Sequence, residues 1–495
     1  SGLGVALDSA NRGYRTLLLE KDDFAMGTSS NSTKLVHGGL RYLKNLQFSV
    51  VMQSLKERRI LIKNAPHIVK KISFILPFYS HLKKFIFLFG LKLYDFLSFD
   101  YSFGISQYLN KIESIKKAPD VKLNKLKGSV LYYDGQFDDS RMAICVAKSA
   151  QNNGAILINY CEVTKFFKKD NKIISLEAYD KFSQKSFVIK SKAFINASGI
   201  FSTKLMKLDN ANYLNKIMLS QGTHLVFEQS IFQGKTSLIF PNINNSSVLF
   251  CVHWYNFIIV GTTDNFVNEC TNKPTPKTQE IEYILDNLNY YLNKKISKND
   301  IKSVFSGLRP LLDLKNKSNN SKTLSRSHNI IVNKSGLISI LGGKWTTYRL
   351  MAEKTINKVI EESNLKYKKC NTSRLKLHGY KKNINYNDPL YMYGSDIENI
   401  NKIDYKNSKK SISKVFHITK NQIIWAVREE MAVTLDDVLS RRIRCLYLDS
   451  KEAVKISLKV AKIMAQELKQ DDIWINNEVK KFKIISNKYV VNNLL

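Results

Sequence analysis

Residues 2–20 constrain this chain more than any other stretch. "LGVALDSANR" reads as a short helix over residues 3–12 with Gly13 as its C-terminal cap, and "YRTLLLE" as a buried strand whose apolar run stops at Glu20. A glycine turn, a helix, a glycine and an apolar strand ending in an acid form the back half of a dinucleotide-binding βαβ unit. In that reading Gly2 is the last glycine of a G-x-G-x-x-G loop, Gly4 lets the helix pack closely on the sheet, and Glu20 takes the adenosine ribose hydroxyls. The chain starts at Ser1, without the first strand or the first two glycines, so the natural protein is expected to extend upstream by both.

Later segments continue the alternation. Residues 139–153 read as a helix with an acidic N-cap and Gly154 beyond its end, followed by the strand "AILINY". Residues 174–180 and 186–195 read as an antiparallel pair, the second running into the small-residue turn "INASG". "LISILGGKWTTYRLMAEKTINKVIEE" reads as strand, Gly-Gly turn and amphipathic helix. A basic, Asn-rich stretch at residues 381–410 looks like a boundary, and residues 420–470 carry helical periodicity, which predicts a separate helical domain.

With 495 residues, 44% of them hydrophobic, the chain can hold two or three domains around a sizeable core. Its 77 Lys+Arg against 42 Asp+Glu give a formal charge of +35. A nucleic-acid binder would gather those cations in a patch, and a peripheral membrane protein would turn them to anionic lipid. The lysines instead run the whole length beside abundant Asn and Ile, the mark of AT-rich codons, although a positive field still speeds encounters with anions. Six cysteines show no CxxC pair and no metal-ligand spacing. The most apolar run, residues 85–91, is far shorter than the ~20 residues of a spanning helix. It is flanked by Lys83, Lys84 and Lys92, so the chain is expected not to cross a membrane, while it could lie on one.

The densest chemistry lies in residues 27–43, "GTSSNSTKLVHGGLRYL". Hydroxyls and backbone N–H groups suit a pyrophosphate, Gly38-Gly39 lets backbone approach a flat ring system, and Arg41 can hold a phosphate with two parallel hydrogen bonds. This segment resembles the flavin-contacting segment of the FAD-dependent glycerol-3-phosphate dehydrogenases. The resemblance continues in order through "YYDGQFDDSRM", "NASGIF", "GTTD" at 261–264, "SGLRPL" at 306–311, "GGKWTTYRLMAE" at 342–353 and "REEMAVTLDDVLSRRIR". It departs in lacking the G-x-G start and in having Ile200 and Phe201 where Pro and Trp are usual, which is expected to alter packing near the flavin rather than the chemistry.

The resemblance implies an α/β fold: an FAD-binding Rossmann-like domain of the glutathione-reductase/D-amino-acid-oxidase type, an antiparallel-sheet substrate domain and a C-terminal helical domain. The expected division gives FAD parts near residues 1–80, 131–205 and 322–375, substrate parts near 81–130 and 206–321, and helices over 376–495. It implies FAD held by Gly2, Gly4, Glu20, Thr28, Ser29, Ser30, Thr33, Lys34, Leu35, His37, Gly38, Gly39, Val163, Ala197, Ser198, Gly199, Gly343, Lys344 and Thr346. Substrate falls to Arg41, Tyr42, Arg309, Arg326 and Lys344, and catalysis to His37, Arg309 and Lys344, with no metal. His37 is the expected general base because neutral imidazole accepts a proton near pH 7. Arg309 stays protonated and stabilises a developing alkoxide. The other seven histidines are expected to be core or surface. The activity so implied is oxidation of sn-glycerol 3-phosphate to dihydroxyacetone phosphate, with electrons passed to a membrane quinone by a cytoplasmic protein attached peripherally to an anionic membrane surface. An oxygen-using oxidase is the alternative within the same chemistry. A nucleic-acid-binding protein or an inactive relative is the alternative of a different class, and nucleic acid is not an expected partner. A homodimer is compatible with the pattern.

Overall fold

The computed structural model describes residues 1–45, 47–98, 101–213, 217–241, 248–312, 328–404 and 410–491, without the side chains of Arg41, Lys44 and Asn45. Gly2–Asn11 is helical and buries Val5, Ala6, Leu7 and Ala10. A Cβ placed on Gly4 would lie 2.7 Å from the Tyr348 ring, so the glycine is what allows this helix to seat on helix Tyr348–Glu362. Adding a methyl group at such a contact typically costs about 1–3 kcal/mol. Gly13 turns the chain at φ 77°, a value that suits glycine at a helix end.

Strand Leu17–Leu19 then runs parallel to Ile156–Ile158, and Phe194–Asn196 runs parallel to Leu337–Gly342, which pairs antiparallel with His328–Val332. Between these two parallel pairs lies Gly2, whose added Cβ would meet Ala197 at 3.5 Å on one side and Leu18 at 3.7 Å on the other. Helix Asp139–Asn152 is capped by Asp138, which accepts from the Arg141 N–H at 2.9 Å, and its apolar face covers the same layer. Residues 186–195 are two strands rather than one. Lys185–Lys190 closes the antiparallel meander Cys161–Lys169, Lys172–Asp180, Lys185–Lys190, and Phe194–Asn196 belongs to the other sheet. Ser191 turns the chain between them, its hydroxyl bonded to the Ala193 carbonyl at 2.9 Å.

The second layer is a ten-stranded, mainly antiparallel sheet. Toward one edge lies its longest pairing, Ile217–Glu228 with Ile301–Leu312, in register from Ile217↔Leu312. Val69–Phe78 and Gly128–Phe137 pair with each other inside it, although the expected division placed both mainly with the FAD part. C-terminal helices Lys420–Glu430, Ser450–Leu468 and Asp472–Ser486 pack on this sheet. Leu435, Leu439, Leu446, Val460 and Met464 share one buried cluster with Val226, Trp254, Phe257, Ile259 and Phe305.

Candidate active site

Residues 27–43 run between the two layers. Thr28–Ser30 forms a 3-10 turn whose Thr28 hydroxyl donates to the Leu308 carbonyl at 2.6 Å, and the Trp345 indole N–H donates to the Ser29 carbonyl at 2.8 Å. The "SGLRPL" and "GGKWTT" segments are thus fastened to one loop. Gly307 is required there, because its added Cβ would fall 2.6 Å from that of Asn31.

Lys34, expected among the FAD-binding residues, has a fully buried side chain whose ammonium donates to the Ser30 carbonyl at 2.6 Å and to Asp139 at 2.7 Å. Burial is the largest influence on this ammonium, with Arg444 adding to it, and together they bring its pKa down to about 7. Asp139 also accepts from Ser32 N–H, Ser32 hydroxyl and Arg444. Arg444 reaches back to the Ser30 carbonyl at 3.0 Å, and the Tyr447 hydroxyl donates to Asn31 at 2.9 Å. The loop therefore owes its shape to residues more than 400 positions away.

Strand Leu35–Val36 leads to half-buried His37 and then Gly38. The Gly38 N–H donates to the Tyr94 hydroxyl at 3.1 Å and to Asp134 at 3.3 Å, and any Cβ would strike Tyr94. Asp134 is itself held by Arg58 at 2.8 Å. Gly39, at φ 82°, lies against the Tyr42 ring. The Lys344 ammonium sits 3.8 Å from the centre of that ring, so two residues expected in the substrate site do meet. Gly343, also at positive φ, packs on Met351, and helix Tyr348–Glu362 follows a 3-10 turn, Trp345–Thr347, that contains Thr346 and has no acidic residue. Arg41 lies by its backbone in the 3-10 segment Leu40–Asn45, with its side chain outside the described residues, as is all of Arg326.

Arg309 lies on the sheet face that looks toward the loop. Its guanidinium donates to the Thr262 hydroxyl at 2.8 Å and the Thr263 carbonyl at 3.1 Å, with Asp264 at 3.4 Å. It lies flat over Gly222, where a Cβ would be 2.1 Å from it. Two positions along the same strand, His224 stacks on Phe305 at 4.8 Å and its Nε2 is 2.9 Å from the Thr33 hydroxyl. Burial, then Arg309 and Lys34, hold the His224 imidazole well below its ordinary pKa, so it is neutral. Sequence reasoning placed His224 among undistinguished histidines, because the strand pairing that brings it beside Arg309 is non-local.

The residues expected at the adenosine end are equally fixed by their contacts. Glu20 lies just past strand Leu17–Leu19, with its N–H bonded to Ile158 and its carbonyl to Cys161. Burial pushes its carboxyl up to about 7. Asn196 accepts from both the N–H and the hydroxyl of Ser198, turning the chain through Ala197 to Gly199 at φ 60°. Val163 lies half-buried on the neighbouring strand beside a register shift. Ile200 is buried with Leu308, and Phe201 lies under the Lys21 ammonium at 3.4 Å, so these two departures are absorbed in packing. Gly2 set between two parallel strand pairs beside the small-residue turn Ala197–Gly199, with the acid at the strand end, fits a flavin dinucleotide.

Comparison with known proteins agrees. The model of the FAD-dependent oxidoreductase family matches residues 1–349, and that of the C-terminal domain of alpha-glycerophosphate oxidase matches residues 338–473. The mitochondrial glycerol-3-phosphate dehydrogenase of Schizosaccharomyces pombe is 32% identical over 95% of this chain and 83% of its own length. A probable mitochondrial glycerol-3-phosphate dehydrogenase of Caenorhabditis elegans is 34% identical over 94% and 69%. Among solved structures, the Bacillus halodurans glycerol-3-phosphate dehydrogenase complexed with FAD gives a TM-score of 0.81 at 26% identity, covering 99% of this chain and 92% of that one.

Proposed function

Because the chain belongs to the FAD-dependent glycerol-3-phosphate dehydrogenases, we propose that it oxidises sn-glycerol 3-phosphate to dihydroxyacetone phosphate and passes the electrons to a membrane quinone. The observation that carries this reading is Arg309, fixed over Gly222 by Thr262 and Thr263 and facing the loop that carries His37, Gly38 and Gly39. Bound FAD supplies the hydride acceptor. The protein's own part is to hold the phosphate, orient the reacting carbon and manage the hydroxyl proton. Arg309 cannot release its proton, so it serves as a fixed positive charge beside the oxygen that becomes a carbonyl. Lys344 over Tyr42, with Arg41 next to Tyr42 in sequence, forms the phosphate end. His37 takes the hydroxyl proton, and neutral His224 is the second imidazole within this arrangement. The positive end of helix Tyr348–Glu362, if turned toward the bound ring system, would favour negative charge there.

The membrane part of the proposal has its own support. Helix His81–Leu97 leaves Leu82, Phe85, Ile86, Phe89 and Phe96 exposed, Phe89 by 74% and Phe96 by 76%, and begins with Lys83 and Lys84. An apolar face beside lysines is what an interfacial helix presents to anionic lipid. Among the described residues no helix is long and apolar enough to cross a membrane. The match of residues 338–473 to the oxidase domain model keeps oxygen as the competing acceptor. One experiment separates the outcomes: anaerobic sn-glycerol 3-phosphate should bleach the flavin spectrum of the purified protein, and a quinone should restore it. Stoichiometric peroxide in air with no response to quinone makes the protein an oxidase. No bleaching at all removes the proposal.

A further inference from the structure

Five donors converge on one buried carboxylate beneath the sheet. Glu280, near the start of helix Thr278–Tyr291, is 3% exposed. Its Oε2 accepts from Gln221 Nε2 at 2.7 Å, the Thr223 hydroxyl at 2.8 Å and the Lys277 N–H at 3.1 Å. Its Oε1 accepts from the Thr263 hydroxyl at 2.7 Å and Asn265 Nδ2 at 2.9 Å. Only the bond to Lys277 caps the helix; the other four go to the sheet and to the turn after Gly261. Burial opposes the charged carboxylate, but the bonds from Thr263, Thr223, Asn265 and Lys277 outweigh it and hold its pKa below the ordinary value.

The topology gives those four bonds a direction. Along Ile217–Glu228, side chains alternate between faces. Ser220, Gly222 and His224 stand opposite Arg309, Gly307 and Phe305 on the face toward the loop. Gln221 and Thr223 point to the other face, where Glu280 waits. Thr263 joins the two sides: its hydroxyl is bound to Glu280 below, and its carbonyl accepts from Arg309 above. Asn265 ties down the far end of the same turn.

We propose that Glu280 is a positioning residue for Arg309, fixing through Thr263 and Asn265 the turn that holds the guanidinium over Gly222. This inference rests on the reading of Arg309 as the cation beside the reacting oxygen. Glu280→Gln keeps the shape but turns one acceptor into an amide that faces donors. The turn then loses its fixed height under Arg309, and a displacement on the ångström scale costs about 100-fold in rate. The test is a double-mutant cycle on the flavin-loaded full chain, measuring kcat and KM for sn-glycerol 3-phosphate and, by calorimetry, the Kd for dihydroxyacetone phosphate.

Glu280→Gln should lower kcat by about 100-fold with flavin content retained, and should weaken product binding. In an Arg309→Ala background the same change should have almost no further effect on either quantity. Equal losses in both backgrounds would show a general structural role and overturn the inference. So would a Glu280→Gln protein with normal kcat beside a crippled Arg309→Ala. An Arg309→Ala protein with normal turnover would remove the reading of Arg309 and this inference with it. If Glu280→Gln fails to accumulate, Thr263→Val cuts the same link without touching the Thr263 carbonyl and is put through the same cycle.

Discussion

The side chain of Arg441 is 2% exposed and meets Asp23, Asp436 and Asp437 at 2.5–2.9 Å, whereas Arg309 keeps 24% of its side chain in solvent and is held by Thr262, Thr263 and Asp264. Arg442 and Arg444 repeat the first pattern, with Asp23 for one and Asp138 and Asp139 for the other. A guanidinium surrounded by carboxylates has no field left to offer a ligand; it fastens the C-terminal segment to the loop. A guanidinium fixed largely by hydroxyl and carbonyl oxygens keeps its orientation and most of its charge. Identical side chains thus fasten the fold in one region and, in the proposed function, serve chemistry in the other, and the difference lies in their counter-ions.

Removing each kind should separate these roles. Arg309→Ala is expected to lower kcat/KM on sn-glycerol 3-phosphate by roughly two to four orders of magnitude, the equivalent of about 3–5 kcal/mol, with FAD still bound. Near-normal efficiency would erase the contrast.

Asp23→Ala should do the reverse. It leaves Arg441 and Arg442 short of a buried partner and should cost about 3–5 kcal/mol in denaturant unfolding, while kcat per bound flavin stays close to wild type. Burial works against the Asp23 carboxylate, but Arg442 and Arg441 outweigh it and hold its pKa below the ordinary value of 3.8. Its contribution is therefore complete above that pH and is lost as pH falls through the folded value. The acid limb of the stability curve should be shallower in the variant.

Glu20 sits between the two classes, an acid whose cationic neighbour Lys21 is outweighed by burial and by Asp22 and Asp23. Burial raises its pKa from 4.5 to about 7, so its effect on the flavin-free protein is nil below 4.5, grows unfavourable as pH rises from 4.5 to 7, and is constant above that. Glu20→Gln should make the flavin-free protein more stable than wild type at pH 8 and no different at pH 4. Glu20→Ala should weaken FAD retention in the folded protein, measured as flavin-to-protein ratio after gel filtration. The smallest effect belongs to the solvated lysines at residues 381–404, whose replacement should change neither turnover nor stability by more than about 1 kcal/mol. A large effect there would mean that bulk charge matters more than the fixed cations.

Local features were legible in the sequence wherever a backbone requirement wrote itself into residue type. Gly13 ends its helix and Glu20 follows its strand as the pattern implied, while Gly4 makes its close approach to Tyr348 of a helix rather than to the sheet. Arg309 is held by the Thr262 hydroxyl and the Thr263 carbonyl, contacts its sequence motif does not announce. What escaped depends on pairing across distance. Residues 186–195 look continuous because the turn at Ser191 carries no glycine or proline. The pairing of Lys34 with Asp139, which Arg444 also reaches, joins residues far apart in the chain. His224 gains its setting from the pairing of two strands some 80 residues apart, and Glu280 gains two of its partners from Gln221 and Thr223, 59 and 57 residues before it, without a local signal at either residue.

The partners of Asp23 lie 418 and 419 residues downstream, in Arg441 and Arg442. During synthesis, at about 5–20 residues per second, the loop therefore waits on the order of twenty seconds to over a minute for the charges that complete it. Until then the sheet also lacks the helices that cover Trp254, Phe257 and Phe305. The nascent protein must pass that interval with an apolar face open and an acid unanswered, a period in which chaperones, rather than the cofactor, are its natural company.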